Sequence, residues 1–191
     1  MKSLSIFVLA LTLTSAVMAS TQKVDVQKSK VEWTGKKVTG QHTGTIDIQQ
    51  GAVEVNKGKL TGGKIVMDMQ SIKNVDLTDP EYNTKLINHL KSDDFFSVVK
   101  YPTSQLEITK VEGTGTNYTV TGNLTIKGKT NPVSFPVTVS KEGKDNVYKG
   151  TLTVDRSKYD VRYGSKSFFN DLGDKAISDE FALDFHLVAT E

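Results

Sequence analysis

The chain contains no cysteine, which excludes disulfides, thiolate-based zinc sites and thiol catalysis. Histidine is scarce too: His42, His89 and His186 are the only three. No two of them stand four residues apart, and none belongs to a His-Glu-x-x-His arrangement, so spacing gives metal binding no support. Neither sign of charge dominates. The 24 Lys and Arg against 22 Asp and Glu leave a formal net charge of +2. Nucleic-acid binding draws its affinity from counterion release at a concentrated basic face, and no segment clusters Lys or Arg in that way. The 15 glycines form no P-loop, nucleophile elbow or dinucleotide fingerprint. Adjacent Asp93 and Asp94 point apart in a capping position and suit helix N–H groups better than a shared proton. The reading is of a protein that is not an enzyme and needs no cofactor; a hydrolase or isomerase built on His42 or His89 has no spacing to support it.

One long apolar run stands at the start. Lys2 precedes a stretch from Leu4 to Ala16 that is predominantly apolar, and Val17-Met18-Ala19 leads to Ser20. This predicts an export signal over residues 1–19, cleaved after Ala19. Thr12, Thr14 and Ser15 interrupt the run, which falls short of the about 20 apolar residues of a membrane span. The expectation is a protein with no permanent membrane anchor, and one without a cysteine to carry a lipid at the cleavage site. Residues 20–191 then form one domain, large enough to bury roughly 70% of its unfolded surface without disulfides.

What the chain has in abundance is alternation. Tyr118, Val120, Gly122, Leu124 and Ile126 alternate with Thr119, Thr121, Asn123, Thr125 and Lys127, the period of a half-buried strand. The pattern returns at Val133, Phe135, Val137 and Val139, at Tyr148, Gly150, Leu152 and Val154, and at Phe181, Leu183, Phe185 and Leu187. Weaker versions occur at Val31-Trp33-Gly35, Ile46-Ile48, Ile65-Met67-Met69 and Leu106-Ile108. Short turn signals join them. About eight such strands are antiparallel and must bring their apolar faces together as a barrel or sandwich. A closed barrel is favoured because only closure removes sheet edges. Pro136 inside an alternating run predicts a bulge or an edge position, since proline cannot donate to a ladder.

One segment departs from this period. Thr78 or Asp79 as cap, Pro80, and Tyr82, Leu86 and Leu90 at spacings of four predict a short amphipathic helix that needs an apolar surface to cover. Ser92-Asp-Asp-Phe-Phe96 repeats the capping signature and predicts a second helical turn. The picture is a barrel with one or two short helices near its mouth.

Seven motifs, taken in order, resemble the bacterial YceI-like family. They are Val31-Glu-Trp-Thr-Gly35, His42-Thr-Gly44, Gly62 through Ile72, His89 through Phe96, Lys100-Tyr-Pro102, Val120 through Gly128, and Asp155-Arg-Ser-Lys-Tyr159. Each is weak alone; together, in order behind an export signal, they span the chain from residue 20 onward. Asn123 stands where the family often has Asp, and Lys129 where it has an apolar residue; neither touches the expected fold. The resemblance implies an all-β, lipocalin-like antiparallel barrel in the periplasm. It also implies an elongated apolar cavity that holds a polyisoprenoid or other long-chain amphiphilic lipid, isoprenoid quinones included, for transport or storage. It leaves a homodimer open. The other reading is an interaction protein whose barrel is filled by side chains and whose outer face docks a membrane or respiratory partner.

On that resemblance the strands are expected to present Trp33, Ile65, Met67, Met69, Leu106 and Ile108 to the ligand, with Phe135, Phe181 and Phe185. Leu86 and Leu90 would contribute from the helix. Met67 and Met69 either fill a core or line a tunnel that adapts to a flexible chain. Trp33 is read first as a core residue that would report on any ligand touching it. The loop aromatics Phe95, Phe96, Tyr163, Phe168 and Phe169 are expected to plug the barrel or to gate it. Asp155-Arg156 reads as a structural ion pair at a strand end, with a grip on a ligand head group as the alternative. His186 lies on the polar phase of the last strand and is expected to face solvent.

Overall fold

The computed structural model describes residues 19–190, so the predicted export segment lies, but for Ala19, outside the described residues. Nine strands follow one another: β1 (Ser20–Val24), β2 (Lys30–Lys37), β3 (Gly40–Asn56), β4 (Lys59–Asn74), β5 (Thr103–Thr114), β6 (Asn117–Ile126), β7 (Lys129–Glu142), β8 (Asp145–Asp155) and β9 (Ile177–Thr190). Among the described residues one α-helix, α1 (Pro80–Lys91), lies between β4 and β5. Two short 3-10 turns, Arg156–Tyr159 and Gly173–Lys175, lie between β8 and β9.

From β2 to β9 each strand pairs antiparallel with the next, and β9 returns to β2, which closes the barrel. The barrel has eight strand positions filled by nine segments. Between β3 and β9, β2 pairs with residues 40–45 of β3, and β1 takes over at residues 52–55. The link through Asp25–Ser29 is tied to β9, where the Asp25 N–H donates to the Val188 carbonyl and Ser29 Oγ accepts from the Val188 N–H. The expected antiparallel lipocalin-like barrel of about eight strands with a helix is the observed fold.

The alternating runs place their apolar members inward as the period requires. Every second residue of β6 from Tyr118 to Ile126 is buried, and the Thr and Asn between them are exposed or partly so. Of the two settings expected for Pro136 the bulge is absent, since β7 carries it in unbroken register against Thr119 of β6. It lies beyond the end of the β7–β8 ladder, which begins only at Thr138, and its missing N–H is tolerated at that local edge. His186 has the expected outward phase but is half-buried between its cross-strand neighbours Lys30 and Lys149, and its Nε2 is buried without a hydrogen-bond partner.

The longest hairpin, β3–β4, turns at Lys57-Gly58, with φ of 50° and 74°. Two consecutive residues in the left-handed region match the twist of a two-residue hairpin. All the long connections lie at the opposite end of the barrel, where residues 75–102 join β4 to β5 and residues 156–176 join β8 to β9. That end is the mouth.

Candidate functional site

The apolar faces do not fill the barrel. They enclose an upper chamber of about 310 Å³ at the mouth and a lower one of about 110 Å³ deeper in. Five residues, Val31, Met67, Ser104, Ile126 and Leu183, line both.

The helix forms one side of the mouth, and its capping chemistry holds it there. Asp79 accepts from the amides of Glu81 and Tyr82, and Pro80 occupies the first turn, where its missing N–H costs nothing. Asn83 donates to the Asn74 carbonyl at 3.3 Å and to the Leu77 carbonyl at 3.0 Å, and Lys91 Nζ donates to the Gln70 carbonyl at 2.6 Å. These bonds tie α1 to the end of β4. Leu86 and Leu90 line the upper chamber as the spacing predicts. Tyr82 does not follow: it is 64% exposed, and Asn83 takes the inward position instead. The predicted second helical turn is a run of turns, closed by Phe95 and Ser97 amides on the Ser92 carbonyl. Asp93 there accepts from the Ser97 hydroxyl rather than capping helix amides.

Trp33 forms part of the upper wall. Its indole N–H donates to the Lys73 carbonyl at 3.1 Å, and the ring passes directly over Gly44. His89 bridges the mouth, edge-on to Phe95 at 5.7 Å and to Tyr163 at 4.3 Å. Phe96 packs against Phe95 at 5.0 Å and against Phe181 at 6.3 Å.

Arg156 has the structural role expected of it, with partners other than Asp155. It is 2% exposed, and its guanidinium is held from all sides. Nε donates to Ser178 O, Nη1 to Val161 O and Tyr163 O, and Nη2 to Ile177 O, all within 2.8–3.0 Å. Nη2 also lies 3.5 Å from Asp179 Oδ1. Asp155 instead caps the following turn by accepting from the Ser157 amide. Burial pulls the Arg156 pKa down, opposed by Asp179 and Asp155, and four of its five N–H groups are committed to these carbonyls. The residue fastens the β8–β9 connection and lays its cation against Phe95, 5.4 Å from the ring centre.

At the rim, His42 Nδ1 lies 2.8 Å from Asp76 Oδ2, and the other carboxylate oxygen accepts from the amide of Thr43. The carboxylate can only accept, so Nδ1 is the protonated nitrogen. Partial burial would raise the Asp76 pKa, but hydrogen bonds from His42, Thr43 and Asn74 outweigh it and hold it below its ordinary value. The stability these bonds supply is therefore present above the usual carboxylate pKa of about 4 and lost as pH falls through the lowered value. Asp76→Asn is expected to remove that part of the acid-side loss. Urea unfolding at a series of pH values below about 5 checks it: the variant's stability should fall less steeply with pH than the wild type's.

The predicted wall residues separate by depth. Trp33, Met69, Leu86, Leu90, Phe95, Tyr163 and Phe181 line the upper chamber. Ile65, Leu106, Ile108, Phe135 and Phe185 line the lower one, and Met67 stands between. Phe168 and Phe169 are outside both, 40% and 49% exposed. The chain reverses at Ser165, whose carbonyl accepts from both of their amides, and Arg162 stacks over Phe168 at 5.0 Å. They neither plug the barrel nor line its opening. Phe96, expected with the loop aromatics, also lines the upper chamber, whereas Ile46 and the polar rim of Lys36, Lys37, His42, His89 and Glu180 were not expected there. His42 and Asp76 are 34 residues apart, so no local motif marks their pairing.

The sequence matches the family described as the YceI-like domain over residues 22–189. The chain belongs to the YceI-like family. Among solved structures, BcnA of Burkholderia cenocepacia is 31% identical, with a TM-score of 0.68 over 87% of this chain and 99% of its own. A polyisoprenoid binding domain from Saccharophagus degradans, implicated in plant cell wall breakdown, is 14% identical, with a TM-score of 0.64 over 88% and 97% of the two chains. At that identity the likeness concerns the fold alone. Curated relatives match over shorter stretches. A UPF0312 protein of Photorhabdus laumondii is 44% identical over 57 residues, 30% of each chain. One from Azotobacter vinelandii is 32% identical over 103 residues, 53% of this chain and 51% of its own. The chain thus spans between about a third and a half of the length of these curated relatives.

Proposed function

We propose that this YceI-like protein is an exported carrier or store for a polyisoprenoid or similar long-chain amphiphile, held in the periplasm with its tail in the lumen. The unfilled apolar lumen carries this reading, since a barrel built only to present its outer face would close its core with side chains. The polyisoprenoid binding named for the Saccharophagus degradans domain supports the ligand class. Isoprenoid quinones belong to the same class.

Burial of one methylene contributes about 0.8 kcal/mol, so a five-carbon isoprene unit supplies roughly 3–4 kcal/mol gross. Two or three units reach micromolar affinity after the ordering costs of binding. The upper chamber needs no charged anchor for that. Its rim of Lys36, Lys37, His42, His89 and Glu180 can meet a polar head of either sign while the tail lies below.

Trp33 is the sole tryptophan and lines the upper chamber, which supplies the test. Titration of the delipidated protein with farnesol is expected to shift Trp33 emission saturably, with close to one ligand bound per chain. Emission that stays constant while the protein remains folded contradicts the reading.

A further inference from the structure

The two chambers meet at one level of the barrel, and that level is built differently from those above and below. On β4, Met67 faces Ser104 of β5 across the ladder, a long flexible side chain opposite a short one. The ladder ends one pair further on, at Asp68–Thr103, and the β3–β4 register shifts immediately beside Met67, between Ile48 and Gln50. Met67 is only partly buried although it points inward, because it borders open space on both sides. Met69, two residues on, is fully buried. An unbranched thioether with three rotatable bonds changes rotamer readily, and a ladder that stops beside it leaves that movement room.

Below this level the lumen is more apolar than at the mouth, with Leu106, Ile108, Phe135 and Phe185 among its walls. It ends over a buried polar floor in which Asn146 Nδ2 donates to Gln22 Oε1 at 2.8 Å and the Tyr148 hydroxyl lies 3.4 Å from the same oxygen. Burial pushes the Tyr148 pKa up to about 12, so the floor carries no charge at neutral pH. Such a compartment takes hydrocarbon and rejects a charged head.

We infer that the lower chamber is a separate site for the far end of the ligand's hydrocarbon tail, and that Met67 is the partition that sets how long a tail the protein accepts. This rests on the lipid-carrier reading and adds to it a determinant of chain length. Short tails end in the upper chamber against Met67; longer ones displace it and enter the lower chamber.

The test compares geraniol, farnesol and geranylgeraniol on the delipidated protein and on Met67→Ala and Met67→Phe, read by Trp33 emission, with thermal unfolding showing each variant folded. The quantity of interest is the gain in affinity from farnesol to geranylgeraniol. Removing the partition is expected to raise that gain by about tenfold, and enlarging it to lower the gain by a similar factor. Opposite shifts in the two variants establish the partition, and a gain that is the same in all three proteins overturns it. Failure of the wild type to bind any of the three alcohols overturns the carrier reading itself, and this inference with it.

Discussion

Replacing Arg156 by methionine is expected to cost about 3–5 kcal/mol of folding stability, the range for breaking a buried ionic cluster from one side. The arginine is nearly inaccessible and donates to four backbone carbonyls drawn from the 161–163 and 177–178 segments. Methionine matches much of its volume and none of its donors. Four carbonyls and the Asp179 carboxylate would lose their partner, and each stranded group costs about 1–3 kcal/mol unless water reaches it. For a domain of this size the melting temperature is expected to fall by roughly 10 °C or more. Lysine should recover only a small part, because one ammonium cannot span carbonyls placed around a planar fork. Urea and thermal unfolding measure both variants. A loss below about 1 kcal/mol for methionine would show that Arg156 does not fasten the β8–β9 connection.

The second large effect is expected at Gly44, where a methyl group has no room. A Cβ there would lie 1.8 Å from the Lys73 carbonyl oxygen and 2.5 Å from the Trp33 ring. One obstacle is backbone in a neighbouring strand and the other is a ring fixed by its own hydrogen bond to that same carbonyl. Neither yields as a flexible side chain would, so Gly44→Ala is expected to destabilise by about 3 kcal/mol, the upper end for overpacking. The ring must also leave the chamber wall. Trp33 emission of the unliganded variant should therefore move to longer wavelength, since an indole pushed toward water loses its apolar surroundings. Unchanged emission and unchanged stability together would mean that Trp33 does not rest on Gly44.

Much of the barrel was legible because its strands obey the alternation that one dry face requires. The clearest, β6 and β8, have Thr and Lys on the outside and branched or aromatic residues within. β1 was missed because its inward Gln22 is an amide buried against Asn146, and a buried polar residue leaves no hydrophobic period. The second half of β3 was missed because Gln49-Gln50-Gly51 breaks the pattern. Gly51 is needed there, since Ile65 and Val24 occupy the space a side chain would take.

The site shows the same division. Wall residues on strands could be placed from phase alone, which is why Ile65, Phe135 and Phe185 are found at the lumen. Phe168 and Phe169 could not, because a loop has no period and only the backbone reversal at Ser165 decides that they face outward. The partners of Arg156 were hidden for a related reason: they are carbonyls, which every residue possesses and no motif records.

The central claim is that the lumen holds a lipid tail, and native mass spectrometry of the protein purified without detergent from its producing cells tests it most directly. The account predicts one lipid per chain, released on unfolding and fragmenting as an isoprenoid. A chain that carries nothing, and that takes up no isoprenoid when one is supplied, would contradict it.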